Sequence, residues 1–324
     1  MQTPLWFWIA FNLCVLVVLT VDLFGFQRRP HAPTVREAAA WTFIWVTLSL
    51  GFNALIWHWE GHANGVEFLT GYLVEYSLSV DNIFVFALVF SSFKVPTQYQ
   101  HRVLFWGILS ALVLRGAMIA AGVKSIQAFQ WTLYFLGAFL LFSGAKMLWH
   151  GRSSRDFTQG WLVDLIRRFV PIVDRYYGPR FSVRLPDGRL ALTPLALALV
   201  IIEVTDLLFA VDSIPAILGI TIDPFIVYTS NVCAILGLRS LYFLLAGLVH
   251  RIVSLKPALA VILVFIGLKM LLGEVYHIPT VLSLSVIAVV LLVAVGLSLF
   301  LNRSYDAMRL DVRPTERRSI IKSR

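Results

Sequence analysis

Six acidic residues stand inside long apolar stretches: Asp22, Glu75, Asp81, Glu203, Asp206 and Asp212. Each costs at least about 2.5 kcal/mol at the centre of a bilayer, so function is the default explanation for them. Together with the amide of Asn82 and the hydroxyl of Ser213 they form a set of hard oxygen donors, which suits Mn, Mg or Ca. None of the seven histidines falls at mid-span, and no Cys or Met cluster accompanies the acids. Cu(I) and, less firmly, Zn are thereby disfavoured. An anion would meet uncompensated carboxylates and be repelled.

Spacing refines the picture. Glu203 and Asp206, three residues apart, share a helix face. Glu75 and Asp81 are six apart, as are Asp206 and Asp212, which puts each pair about 120° apart around a regular helix. Such pairs would converge on one ion only where the helix breaks. Pro215 removes the bond to the Val211 carbonyl and clashes there. The expectation is an unwound segment over 212–215 with freed carbonyls, and a weaker break at Asn82. The expected metal site is Glu75, Asp81, Asn82, Glu203, Asp206, Asp212 and Ser213. Asp22, Asn53 and Asn231 are further candidates, either as ligands or as partners in helix–helix hydrogen bonds. Arg115 and Arg239 lie at comparable depth, either neutralising the acids or forming gating pairs that open when the cation binds. No cofactor is expected, because the ion would be cargo.

The elements that must hold these residues follow from composition. The chain has 324 residues, 59% hydrophobic and 14% charged, with mean hydropathy +0.80. Its charged share is far below the roughly 25% of a soluble domain. A water-soluble, disordered or disulfide-stapled protein is excluded. Cys14 and Cys233 sit in apolar runs and read as core thiols. The net charge of +9 falls in alternate loops, the pattern of cytoplasmic loops, not of a nucleic-acid-binding surface.

About nine transmembrane helices are expected, at about 1–26, 38–58, 67–92, 103–123, 129–149, 191–219, 225–249, 257–273 and 279–301. The first reads as a retained span, because no basic segment precedes it. Arg28, Arg29 and Arg36 follow span one, and Lys94 and Arg102 follow span three. Eight arginines lie in the 150–190 loop, and Arg251 and Lys256 follow span seven. Seven basic residues crowd the tail from Asn302. All fall on one side, which places the N-terminus outside and the C-terminus in the cytoplasm. The loop holds a short amphipathic helix near 161–169 and a hairpin signal around Pro186-Asp187-Gly188. It reads as a structured linker or, more sharply, as a docking element.

The acidic segments are duplicated. Aligning Asp81-Asn82 with Asp212-Ser213 also sets Glu75 on Asp206. The following spans agree: Ile108–Arg115 resembles Val232–Arg239, and Ser143–Leu148 resembles Ile266–Leu271. Spans 3–5 thus resemble spans 6–8, and an odd number of spans between copies makes the repeat inverted, as in many secondary transporters. The expected all-α membrane protein is one polytopic domain, 1–324. It comprises two leading helices (1–66), repeat 1 (67–149), the cytoplasmic loop (150–190), repeat 2 (191–273), and a ninth helix with a basic tail (274–324).

Glu75–Asn82 and Glu203–Pro215 resemble the paired signature of the TerC family of integral membrane proteins, including its Alx branch. Thr229–Arg239 is similar to a further family segment. The likeness runs from Asp22 to the ninth helix and is weakest in the 150–190 loop. It implies a multi-pass protein of the bacterial inner membrane that exports Mn(II), in a family associated with tellurium-resistance operons. The carboxylates argue against tellurite itself as cargo. The residues alone reach a hard divalent cation without selecting manganese or export, while proton antiport would follow if acids protonate as metal leaves. The competing expectation is a non-transporting scaffold of a metal or tellurite stress complex, recruiting cytoplasmic or membrane partners through the 150–190 loop and basic tail. An intramembrane aspartyl enzyme lacks its Gly-Xaa-Gly-Asp motif, and no enzyme is expected.

Overall fold

The computed structural model describes residues 4–26, 34–129, 131–149, 163–166, 168, 170–185, 188–245, 255–273, 276 and 278–298. The side chains of residues 22–26, 81, 84, 255 and 256 lie outside that description. So do the whole of 150–162 and the residues from 299 on, the basic tail included.

The described helices are α1 (Leu5–Phe26), α2 (Val35–Trp59), α3 (His62–Ser92), α4 (Thr97–Ala128), α5 (Thr132–Trp149), α6 (Pro194–Leu218), α7 (Pro224–Leu236), α8 (Leu238–Leu245), α9 (Leu255–Leu272) and α10 (Thr280–Ser298). Among the described residues seven helical segments are long and apolar enough to cross a membrane. They are α2 to α6, the α7–α8 run Pro224–Leu245, and α10. The segments Leu5–Val21 and Pro257–Leu272 are shorter apolar helices.

Local chemistry sets the helix starts. Thr34 and Glu37 form a reciprocal capping box at α2, and Thr193 caps α6 with Pro194 at its first position. Asp223 accepts from the backbone amides of Phe225 and Ile226 at the start of α7. Each satisfies amides that the helix itself leaves unpaired.

Two sequence expectations need correction. α6 runs unbroken through Asp212–Pro215 to Leu218, and α3 runs unbroken through Asn82. A proline deletes one bond of the ladder, and here residues 213–218 are all buried, so packing on both sides holds the helix. The span expected at 225–249 is present as the α7–α8 run Pro224–Leu245, with a turn at Gly237 inside it.

Helix pairing has a regular pattern. α3 lies along α7, α4 along α6, α3 also along α6, and α5 along α9. At the α5–α9 crossing the two backbones approach closely. A Cβ on Gly144 would stand 2.9 Å from the Ala260 carbonyl oxygen, and one on Gly267 would stand 2.8 Å from that of Gly137. Glycine at these crossings lets two backbones touch, the usual means of tight association in lipid.

The expected hairpin is present as β1 (Ser182–Arg184) paired antiparallel with β2 (Leu190–Leu192). Its neighbourhood packs onto the end of the bundle: Val163, Ile166, Tyr176 and Phe181 lie against the cluster containing Phe86, Leu104, Ile202 and Leu238. The Tyr176 hydroxyl donates to the Phe93 carbonyl at 2.7 Å, and the Arg102 guanidinium lies 5.4 Å from the centre of the Phe181 ring. Burial pushes the Tyr176 hydroxyl above its ordinary range. Of the helix expected at 161–169, residues 163–166 and 168 are helical, and the rest lie outside the described residues.

Candidate metal centre

Arg115 on α4 is the hub of a charged cluster buried where α3, α4 and α6 meet. Its side chain is 2% exposed. The guanidinium holds Asp206 through two bonds, from Nε to Oδ2 at 3.1 Å and from Nη2 to Oδ1 at 2.9 Å. Its Nη1 donates to Glu75 Oε1 and, at 3.4 Å, to the Ser213 hydroxyl. The Asn82 amide donates to Asp206 Oδ1 at 3.1 Å. One cation therefore faces two carboxylates, and such a pairing is needed to hold charge in a medium that solvates it poorly.

Beside it, Glu203 lies one turn before Asp206. Ser110 on α4 donates to its Oε1 and also lies within bonding distance of the Trp106 and Gly107 carbonyls. Glu203 and Asp206 line a small, partly open cavity of about 20 Å³ with Gly107 and Ala111 on α4 and Arg239 on α8. Phe86, Leu104, Ile202 and Leu238 complete the wall on the side where the hairpin segment packs. Beyond the cluster the opposite end is shut by Ile119, Val123, Ile214, Ile217, Leu218 and Val227.

Several oxygens of the cluster lack a hydrogen-bond partner among the described residues: Glu75 Oε2, Ser79 Oγ, Asn82 Oδ1 and Glu203 Oε2. Glu75, Ser79 and Asn82 are each no more than 1% exposed. Their spacing of four and then three residues puts them in one stripe along α3. Lone pairs left bare in a protein interior are costly. Oxygens of this kind are the donors a hard cation uses, and of these four residues Glu203 lines the cavity.

The expected residues divide accordingly. Glu75, Asn82, Asp206, Ser213 and Arg115 are joined by hydrogen bonds, and Glu203 and Arg239 meet Asp206 at the cavity. Asp212 separates from them and accepts from Ser143 on α5 at 2.7 Å. A continuous α6 has this consequence: six residues turn Asp212 toward α5, and only a broken helix could have brought it back. Asn53 is buried on α2, and Asn231 is wholly buried on α7. Asp22 and Asp81 sit on α1 and α3, but their side chains lie outside the described ones. Ser79, Ser110 and Ser143 were not foreseen. The signal for Ser79 was its place between Glu75 and Asn82 on one face. For Ser110 and Ser143 the sequence holds none, because their partners lie on another helix.

Comparison with known proteins agrees with this architecture. Residues 60–306 match the Integral membrane protein TerC family. A protein of Escherichia coli (strain K12) named "Putative membrane-bound redox modulator Alx" is 47% identical over 316 residues, 95% of this chain and 98% of its own. An "Uncharacterized membrane protein STKORF319" of Myxococcus xanthus is 46% identical over 91% of this chain and 92% of its own. A membrane protein of Rickettsia bellii is 37% identical over 86% and 92%. No solved structure matches the chain. With a buried charge cluster, seven apolar helices of spanning length and a family match over most of its length, this chain belongs to the TerC family of integral membrane proteins.

Proposed function

We propose that the protein is a secondary transporter that exports a divalent metal ion through the buried carboxylate cluster by alternating access. Mn(II) is the cargo that the family resemblance implies. The observation that carries the reading is the set of partnerless oxygens on Glu75, Ser79 and Asn82 along α3 and on Glu203, with Glu203 and Asp206 lining a cavity. These are hard donors of the type that Mn, Mg and Ca share. The cavity gives the ion a route from one end of the bundle. By the distribution of arginines that end is cytoplasmic, which suits loading for export across a bacterial inner membrane. As metal leaves, the carboxylates it neutralised would take up protons, making the process a metal–proton exchange.

The helix pairing supports an inverted repeat within nine spans. The repeat register exchanges α3 with α6, α4 with α7 and α5 with α9. Under that exchange the α3–α7 pair becomes the α6–α4 pair, and both are observed. At finer grain, Gly144 exchanges with Gly267 and Ala260 with Gly137, and the two close approaches at these residues are mates of one another.

The test is Mn(II) flux into proteoliposomes of purified protein, with and without a pH gradient, alongside E75Q and D206N. Gradient-stimulated flux in the wild type, reduced at least tenfold in both variants with normal recovery of protein, is the expected result. Absence of flux for Mn, Ca and Mg in the wild type would overturn the reading.

A further inference from the structure

The cavity wall and the repeat register together point to a second vestibule on the opposite side of the cluster, an inference that rests on the alternating-access reading above. Exchanging cavity residues for their repeat mates turns Gly107 into Asn231, Ile202 into Gly71, Glu203 into Tyr72, Asp206 into Glu75 and Arg239 into Arg115. Ala111 and Ile235, both in the wall, are each other's mates, so they mark the midpoint of both routes.

These mates are shut away. Glu75 and Asn231 are 0% exposed, Arg115 is 2% and Tyr72 is 4%. The closure is tight: a Cβ on Gly71 would lie 3.0 Å from Ser230 Oγ and 3.4 Å from its Cβ. Asn231 supplies an independent sign. Both its Oδ1 and its Nδ2 lack partners among the described residues. A primary amide in that condition bears an uncompensated desolvation cost. That cost disappears in a conformation where the residue faces water or an ion.

We propose that Asn231, Tyr72, Gly71, Glu75 and Arg115 line an outward vestibule for the same divalent cation, in a second conformation where the two repeats have traded arrangements. Arg239 then takes the buried pairing with the acids that Arg115 holds here, and Arg115 faces the opening. The amide oxygen of Asn231 is a hard donor placed to receive the ion as it leaves Glu75. The contact of Gly71 with Ser230 is the outer gate.

The experiment uses full-length protein in which Cys14 and Cys233 are replaced by serine and alanine. In that background the double variant G71C/S230C brings two Cβ atoms to a separation close to that of a disulfide. Oxidation, with the cross-link verified by mass spectrometry, should lower Mn(II) flux at least tenfold in proteoliposomes. Reduction of the same sample should restore it. Unchanged flux in cross-linked protein would overturn the proposal. The second measurement needs no cross-link and no transport: N231C in intact cells, treated with a membrane-impermeant maleimide. Labelling from outside supports the vestibule, and its absence both with and without saturating Mn(II) overturns it. A wild type without flux would instead sink the transport reading, so the two failures are separable.

Discussion

The Arg115–Asp206 pair should be strongly coupled, and a double-mutant cycle can measure by how much. Asp206→Asn removes one carboxylate but leaves Arg115 its contact with Glu75. The expected cost is therefore at the low end of the range for breaking a buried pair, about 3 kcal/mol. Arg115→Gln leaves both Glu75 and Asp206 uncompensated, so about 5 kcal/mol is expected. The double variant leaves only Glu75 without its partner, again costing about 3–4 kcal/mol. The sum of the single effects exceeds the double by about 4 kcal/mol, in keeping with two charge-assisted bonds at roughly 1.5–3 kcal/mol each. The assay is reversible unfolding in mixed micelles by SDS titration, followed by tryptophan fluorescence, for all four proteins. Additivity within about 0.5 kcal/mol, the behaviour of independent sites, would refute this geometry.

Three more outcomes follow from the structure. Because Asp212 is bonded to Ser143 and stands apart from the cluster, D212N should leave the Kd for Mn(II) within about threefold of wild type. E75Q should weaken it at least tenfold, about 1.4 kcal/mol; isothermal titration on purified protein distinguishes them. At the α5–α9 crossing, Gly267→Leu forces a side chain against the Gly137 carbonyl and should destabilise the bundle by about 1–3 kcal/mol or more, read as a lowered Tm in detergent. Tyr176→Phe deletes the donor to the Phe93 carbonyl and should cost about 1 kcal/mol, visible as faster limited proteolysis of the 163–193 segment.

Much of the architecture is legible in the residues themselves. Apolar runs of spanning length have few alternatives to a helix in a bilayer, because every backbone group must bond within its own segment. Hence the long helices α2–α6 and α10 fall where hydropathy places them. The hairpin at 182–192 follows from local turn chemistry, and the register between the two acidic segments follows from matching letters. Glu75, Asp206 and Arg115 could be singled out because ionisable groups are costly in apolar stretches wherever those stretches fold, and Asn82 because a buried amide is costly too.

Tertiary packing decided the rest. Whether Pro215 breaks α6 depends on how firmly its surroundings hold residues 213–218, and local propensity contains no term for that. With the helix intact, its periodicity sends Asp206 to Arg115 and Asp212 to Ser143, and so divides acids that sequence spacing alone would group. Ser79 and Ser110 acquire meaning only when α3, α4 and α6 meet. A hydroxyl is unremarkable on an isolated helix, but its free lone pair, or its bond to Glu203, exists only across an interface. Sequence thus sets which groups are costly to bury, while the packing of the helices sets which of them share that burial.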